Sequence, residues 1–463
     1  MSAAKARSFD IDCRRSAAGW QRPPDDSPLV AVVSKSDRQG GGASLVAEDL
    51  AELLNRHGYR AEHWLLGPVT APRDFQRVVG GRLGSRLVRR FHWFTRQFGL
   101  PDVVPVEFLF LRRQLRRFSI VHFHDCSSAI ANHTIRWTAR RCPTAWTFHD
   151  CSPFTAGCLY PIECRAFERR CGRCPQLDRW PLGGRLRLDF TGTLQTIKRR
   201  TAAEARFLAL APSHWMAQQA ARSGMFAAPP RVVPNFVDSE RFRPRDRSKL
   251  RSELGLAPDR PWVLVTAGSL ADPRKGVADA ISAVARCGRS PGVILVGRED
   301  PQIASLTAGI ETRVTGFIAS ADELARWYAA ADCLLFPSRA DNLPCTILEA
   351  MACGTPTIGY AVGGVPDLIE SEQNGRLVPC RDVAALATAL ADAIDRPELL
   401  RGWGEAARRR AESHFSKECF LNNHLAIYRE LCPAAFSDEL DRSASAPPPT
   451  AARPAEKNQR IYH

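Results

Sequence analysis

A short apolar run, CLLFP (Cys333 to Pro337), passes through a polar loop into ILEAMA, which reads as helix. This strand-loop-helix order restricts the fold more than any other feature of the chain. Four or five apolar residues without alternation suit a strand buried on both faces, as in a parallel sheet. Parallel neighbours need crossover connections, and helices supply them. The order recurs: LVAVVS (Leu29 to Ser34) precedes a glycine loop and the amphipathic SLVAEDLAELLNRHG, and WVLVTAGSL (Trp262 to Leu270) precedes ADPRKG and a helix. SIVHFHD, TAWTFHD and GVILVG add strands of the same kind. The expectation is an α/β protein of two Rossmann-like domains facing each other across a cleft, which suits a length of 463 residues.

Ligands of such folds meet the loops at the C-terminal ends of the strands. The loop after CLLFP carries Asp341 and, inside the following helix, Glu349, with Asn342, Leu343, Pro344 and Thr346 between them. One carboxylate can accept hydrogen bonds from sugar hydroxyls and the other from the paired hydroxyls of a ribose, while amides at a helix start meet phosphate. Arg274 and Lys275, between a strand and a helix, can neutralise a diphosphate leaving group. Gly354-Thr355-Pro356 and Gly363-Gly364-Val365-Pro366 are tight turns where backbone comes close to something. The pattern suits a nucleotide diphosphate sugar.

With its acid pair, AMACGTP and GGVPD in order, the stretch Pro337 to Ile369 resembles the donor-site signature of retaining GT-B glycosyltransferases of the group 1 or family 4 type. One departure is Asp341, where most members carry the longer Glu. The resemblance implies a GT-B fold and a retaining hexosyltransferase-type enzyme that moves a sugar from a nucleotide diphosphate to a hydroxyl, with no metal required. It implies that Asp341 orients the sugar, Glu349 holds the ribose, and Arg274 and Lys275 take the diphosphate. Gly41 and Gly42 would lie close to the diphosphate, Gly268 would belong to the donor set, and Gly316, Phe317 and Ile318 would border the base. His149, in Thr147-Phe148-His149, matches a family histidine that faces the reacting sugar. The implied domains are an acceptor-side domain over 28–234, a donor-binding domain over 235–415, and a terminal helix over 416–436 that crosses back. Polar segments 1–27 and 437–463 read as tails.

Residues 151–177 contain Cys158, Cys164, Cys171 and Cys174. Four thiols ending in CGRC fit a structural zinc, inert packed or hydrogen-bonded thiols, or redox chemistry. The segment resembles a subgroup of bacterial exopolysaccharide (colanic-acid-type) glycosyltransferases, which implies an acceptor-side loop and a glycan or polyprenyl-linked acceptor.

The formal net charge of +15 favours anionic partners, and no nucleic-acid motif accompanies it. From Arg82 to Arg117 the chain is basic and aromatic, with Leu87, Phe91, Phe94 and Phe98 at helical spacing. That stretch fits either a helix resting on an anionic bilayer or an ordinary helix with a core face. No spanning run or signal-peptide core is visible, which predicts a cytoplasmic protein, peripheral on the inner face of the plasma membrane if the first reading holds. Asp10-Ile11-Asp12 resembles the metal-binding DxD of another fold but precedes the first strand. The alternatives are a GT-B sugar-nucleotide epimerase and a non-catalytic sugar-nucleotide or metal-binding scaffold.

Overall fold

Two parallel sheets organise the chain, each reversing its strand order once. The computed structural model describes residues 27–67, 69 and 72–436; most of the two expected tails, with the Asp10-Ile11-Asp12 triplet, lies outside the described residues. The first sheet comprises β1 (Leu29–Ser34), β2 (Arg60–Leu65), β3 (Gln76–Val78), β4 (Ile120–Phe123), β5 (Thr144–Thr147), β6 (Leu208–Ala211) and β7 (Arg231–Val232), ordered β3-β2-β1-β4-β5-β6-β7. The second comprises β8 (Trp262–Ser269), β9 (Gly292–Arg298), β10 (Thr312–Gly316), β11 (Cys333–Phe336), β12 (Thr357–Tyr360) and β13 (Gly375–Val378), ordered β10-β9-β8-β11-β12-β13. All pairings are parallel. Val30, Ala31, Val32 and Val33 have no solvent exposure, as a strand covered by helices on both faces requires. The order reverses between β1 and β4 and again between β8 and β11, and there the loops diverge and leave a crevice.

Pro234 and Asn235 carry the chain from the first domain to the second, and the Asn235 amide donates to the Leu343 carbonyl at 3.0 Å. The helix Pro397–His414 packs on the second domain, where Ala407 and Ala411 share a core with Ile347 and Met351. The last helix, Lys417–Leu431, starts at a Ser416 cap and returns to the first domain. It buries Phe420, Leu421, Leu425 and Tyr428 against Val30, Leu50, Ile120 and Leu210. At roughly 2 kcal/mol per large apolar side chain, this seam fastens the two domains together.

The helix Gly81–Gln97 buries its small and polar face, namely Gly84, Ser85, Val88, His92 and Thr95. His92 meets the buried Glu107 at 3.0 Å, and Gly84 sits under the ring of Phe110. Leu83, Leu87, Trp93 and Phe94 are all more than half exposed. The stripe Leu87, Phe91, Phe94 and Phe98 is therefore not a core face, because close approach to the domain selects the small residues instead. Among the described residues no helix is long and apolar enough to cross a membrane.

Candidate active site

The loop after β11 carries Asp341 into the crevice, and the loop after β8 brings two cations to it. Asp272 caps a single turn, Pro273–Lys275, which delivers Arg274 and Lys275 together. Lys275 Nζ lies 2.9 Å from Asp341 Oδ2 and 3.1 Å from Oδ1, while Arg274 Nη1 lies 3.3 Å from Oδ1 and 2.7 Å from the Ala340 carbonyl. Ser338 Oγ donates to Asp341 Oδ2. Burial alone would raise the Asp341 pKa, but the adjacent Lys275 and Arg274 and the Ser338 hydroxyl outweigh it, so the net shift is downward and the carboxylate stays ionised. The double-glycine turn is a steric requirement of this arrangement. Gly363 has φ +55°, and a Cβ there would stand 1.7 Å from the Asp341 carbonyl oxygen.

Glu349 lies half-buried in the helix Cys345–Ala352, where Tyr328 Oη donates to its Oε2 at 2.9 Å. Burial pushes its pKa up to about 7 against that hydrogen bond, so the group titrates near neutrality. Thr346 Oγ1 is buried with no hydrogen-bond partner among the described residues. Gly268, at the end of β8, and Gly41 and Gly42, at the start of the helix Gly42–Arg56, would present a Cβ to open space. Gly316 ends β10 with φ +74°; beside it Phe317 is 57% exposed with Arg298 over its ring, and Ile318 packs on the core around Phe336 and Leu343. These three form the outer rim of the second sheet, apart from the ion cluster.

Asn342 and Leu343 make contacts that join the donor loop to the rest of the protein. The Asn342 amide donates to the carbonyls of Phe148 (3.2 Å) and His149 (3.0 Å) and accepts from Ser213 at 2.5 Å. All three partners belong to the first domain, so Asn342 ties the domains at the crevice floor. Leu343 gives its carbonyl to Asn235 and its buried side chain to the core, and Pro344 stands at the helix start. The Asn342 tie brings the backbone of His149, after β5, against the donor loop. Its Nε2 lies 2.9 Å from Nδ1 of His124, which follows β4. Burial lowers the His149 pKa to about 4, so the imidazole is neutral at pH 7.

The long loop after β5 closes the crevice from the other side. Tyr160 reaches the donor loop, and the Arg274 guanidinium stands 5.3 Å above its ring. Tyr160 ends the FTAGCLY run (Phe154 to Tyr160) through which the segment resembles the exopolysaccharide subgroup, and its place beside Arg274 follows from the loop's position. Among the described residues no group of three or more His, Cys, Asp or Glu side chains is arranged to hold a metal ion. Cys158, Cys171 and Cys174 pack instead beside Ala156, Leu182 and Leu194, and the Cys174 sulfur accepts from the Gln176 amide at 3.4 Å. Burial pushes Cys158 to about 12 and Cys171 to about 11, which favours neutral thiols.

Two switch-point crevices facing each other, with cations and carboxylates on the strand ends of one of them, define a protein of the GT-B architecture. Sequence comparison agrees: residues 40–241 match the family "Glycosyltransferase Family 4", and residues 261–396 match "Glycosyl transferases group 1". The chain is similar to that group 1 and family 4 glycosyltransferase type over both sheets. A D-inositol 3-phosphate glycosyltransferase from Saccharomonospora viridis is 36% identical over 231 residues, 46% of this chain and 52% of that protein. The N-acetyl-alpha-D-glucosaminyl L-malate synthase of Bacillus anthracis is 28% identical over 207 residues, 43% of this chain and 53% of its own. The chain thus spans about half the length of the curated relatives it matches. Among solved structures, the sucrose-phosphate synthase of Thermosynechococcus elongatus superposes with a TM-score of 0.66 at 21% identity, covering 88% of this chain and 100% of that one. Anabaena HepE, in complex with UDP and glucose, gives 0.62 at 20% identity, covering 86% and 98%. At these identities the likeness is one of fold.

Proposed function

We propose that the protein transfers a glycosyl group from a nucleotide diphosphate sugar to a hydroxyl of a glycan or lipid-linked acceptor, with retention of configuration. The observation that carries the reading is the cluster of Arg274, Lys275 and Asp341, from which Arg274 lines an interdomain cleft of about 970 Å³. Two cations held by one buried carboxylate are positioned before any ligand arrives, and preorganised charge of this kind stabilises a departing diphosphate. In the reaction the bond from the anomeric carbon to the phosphate oxygen breaks, with its electron pair going to the diphosphate. The acceptor oxygen bonds the same face of that carbon, and its proton passes to the leaving phosphate oxygen. Arg274 and Lys275 serve where a divalent cation serves in other enzymes. A neutral His149 can face the developing positive charge at the sugar without repelling it, and Glu349 with Tyr328 receives the ribose.

The exposed stripe Leu83, Leu87, Trp93 and Phe94, flanked by Arg82, Arg86, Arg89 and Arg90, would rest on the anionic inner face of the membrane and bring a polyprenyl-linked acceptor within reach. Cosedimentation with phosphatidylglycerol vesicles but not phosphatidylcholine vesicles supports that placement; equal recovery from both contradicts it. The transfer itself is tested by incubating UDP-, GDP- and ADP-sugars with lipid-diphosphate and oligosaccharide acceptors. A new glycoside with the donor's anomeric configuration supports the reading. An inverted product, or free sugar released equally without acceptor, contradicts it.

A further inference from the structure

The donor cations line only one side of the cleft. The opposite wall, built by the loop after β5, holds Arg165 and Arg179, and their electrostatic situation differs from that of every other arginine lining this space. Arg274 and Arg339 are matched by Asp341 and Asp279. Arg222 pairs with Glu168, and Arg381 reaches across from the second domain to Glu163 at 3.5 Å. These pairings consume both acids of the wall. Arg165 and Arg179 have no acidic partner among the described residues, although both face the space left for the second substrate.

Their backbone is fixed. Gln195, buried in the helix Thr191–Glu204, donates to the Phe167 carbonyl at 2.8 Å, and Phe167 is itself buried two residues beyond Arg165. Gln176 donates to the carbonyls of Tyr160 and Pro161 at 3.1 Å each, and the Arg179 amide closes on Gln176 at 3.0 Å. Two guanidiniums on an anchored loop present planar pairs of donors, the geometry that phosphate and carboxylate accept. Aromatic faces accompany them: Trp215 stacks on Tyr160 with ring centroids 6.3 Å apart, and Trp180 is 44% exposed beside Arg179. Flat apolar rings next to charge-fixing donors suit a sugar ring that carries an anion.

We propose that this wall is an anion subsite of the acceptor site, in which Arg165 and Arg179 bind a phosphate or carboxylate carried by an acceptor saccharide. The assignment of the anion to the acceptor rests on the transferase reading above; the subsite itself does not.

The test is calorimetric titration of the full chain with glucose 6-phosphate, glucuronic acid and glucose, with and without saturating UDP, on wild type and on Arg165→Ala/Arg179→Ala. Both side chains are exposed, so the variant should melt with wild type. The expected result is binding of the charged sugars in preference to glucose, unaffected by UDP, and weakened at least tenfold in the variant while UDP affinity is unchanged. A stronger response to the phosphate or to the uronate tells which anion the acceptor carries. Equal affinity for glucose, no binding of any probe, displacement by UDP, or full affinity in the variant overturns the proposal. If UDP fails to bind while the charged sugars still depend on the two arginines, the subsite stands and the donor reading fails.

Discussion

The loop after β11 and the loop after β5 face each other across one cleft and are held in opposite ways. In the donor loop a buried acid is saturated by its own neighbours, with Arg274, Lys275 and Ser338 converging on Asp341 and the turn at Gly363 closing over its backbone. The acceptor-side loop runs from Phe148 to Phe190 with one short helical turn, Ala166–Glu168, and is tied down by hydrogen bonds, some within the loop and some from the helix that follows it. Gln195 and Lys198 supply the latter, Lys198 donating to the Ser152 carbonyl at 2.6 Å. The first loop is preorganised around charge it already contains. The second leaves charge unspent.

The sharpest way to break this contrast is Gly363→Ala. A Cβ at 1.7 Å from a backbone oxygen, at φ +55°, must displace the donor loop. We expect a loss of about 3 kcal/mol or more in chemical denaturation and no nucleotide-sugar binding. Gly268→Ala, with nothing within 4 Å of its Cβ, should melt within a few degrees of wild type; equal losses in the two would show that the close approach does not matter. Lys275→Ala should cut turnover about 100-fold, or about 2.7 kcal/mol at the transition state. A near-normal rate would remove the diphosphate role.

Gln195→Ala should separate the two loops. It strips the Cys171 amide and the Phe167 carbonyl of partners and should cost about 2 kcal/mol of stability. Nucleotide affinity should stay at the wild-type value, since the donor loop does not use Gln195; a parallel loss of nucleotide binding would mean the loops are one unit. The smallest effect concerns pH. Burial lets Glu349 hold its proton up to about 7. Ribose hydroxyls bind the carboxylate form better, so binding favours proton release and affinity should rise severalfold from pH 6 to pH 8. A nucleotide diphosphate sugar has no phosphate titrating there, and Glu349→Gln should flatten the curve. A rise that survives in the variant would move its source elsewhere.

The strands, the switch points and the ion cluster were legible because each follows from local rules: apolar runs make parallel strands, and charges between a strand and a helix fall at the crevice. The interdomain tie through Asn342 is not visible in the sequence, because its partners, the carbonyls of Phe148 and His149, lie nearly two hundred positions away. The basic helix was legible in its periodicity but not in its orientation, since Gly84 and His92 face inward only because Phe110 and Glu107 stand opposite. The cysteine spacing leaves zinc and packed thiols open, and it does not show that Cys158, Cys171 and Cys174 gather in one apolar cluster with Ala156, Leu182 and Leu194. What stayed hidden depends on contacts far apart in sequence.

The most direct measurement is calorimetric titration of the wild-type protein and of Lys275→Ala with UDP-, GDP- and ADP-sugars in the presence of EDTA. One nucleotide sugar should bind wild type with metal removed, and the variant should lose most of that affinity. Binding that needs a divalent cation, or that survives unchanged in Lys275→Ala, would contradict that expectation.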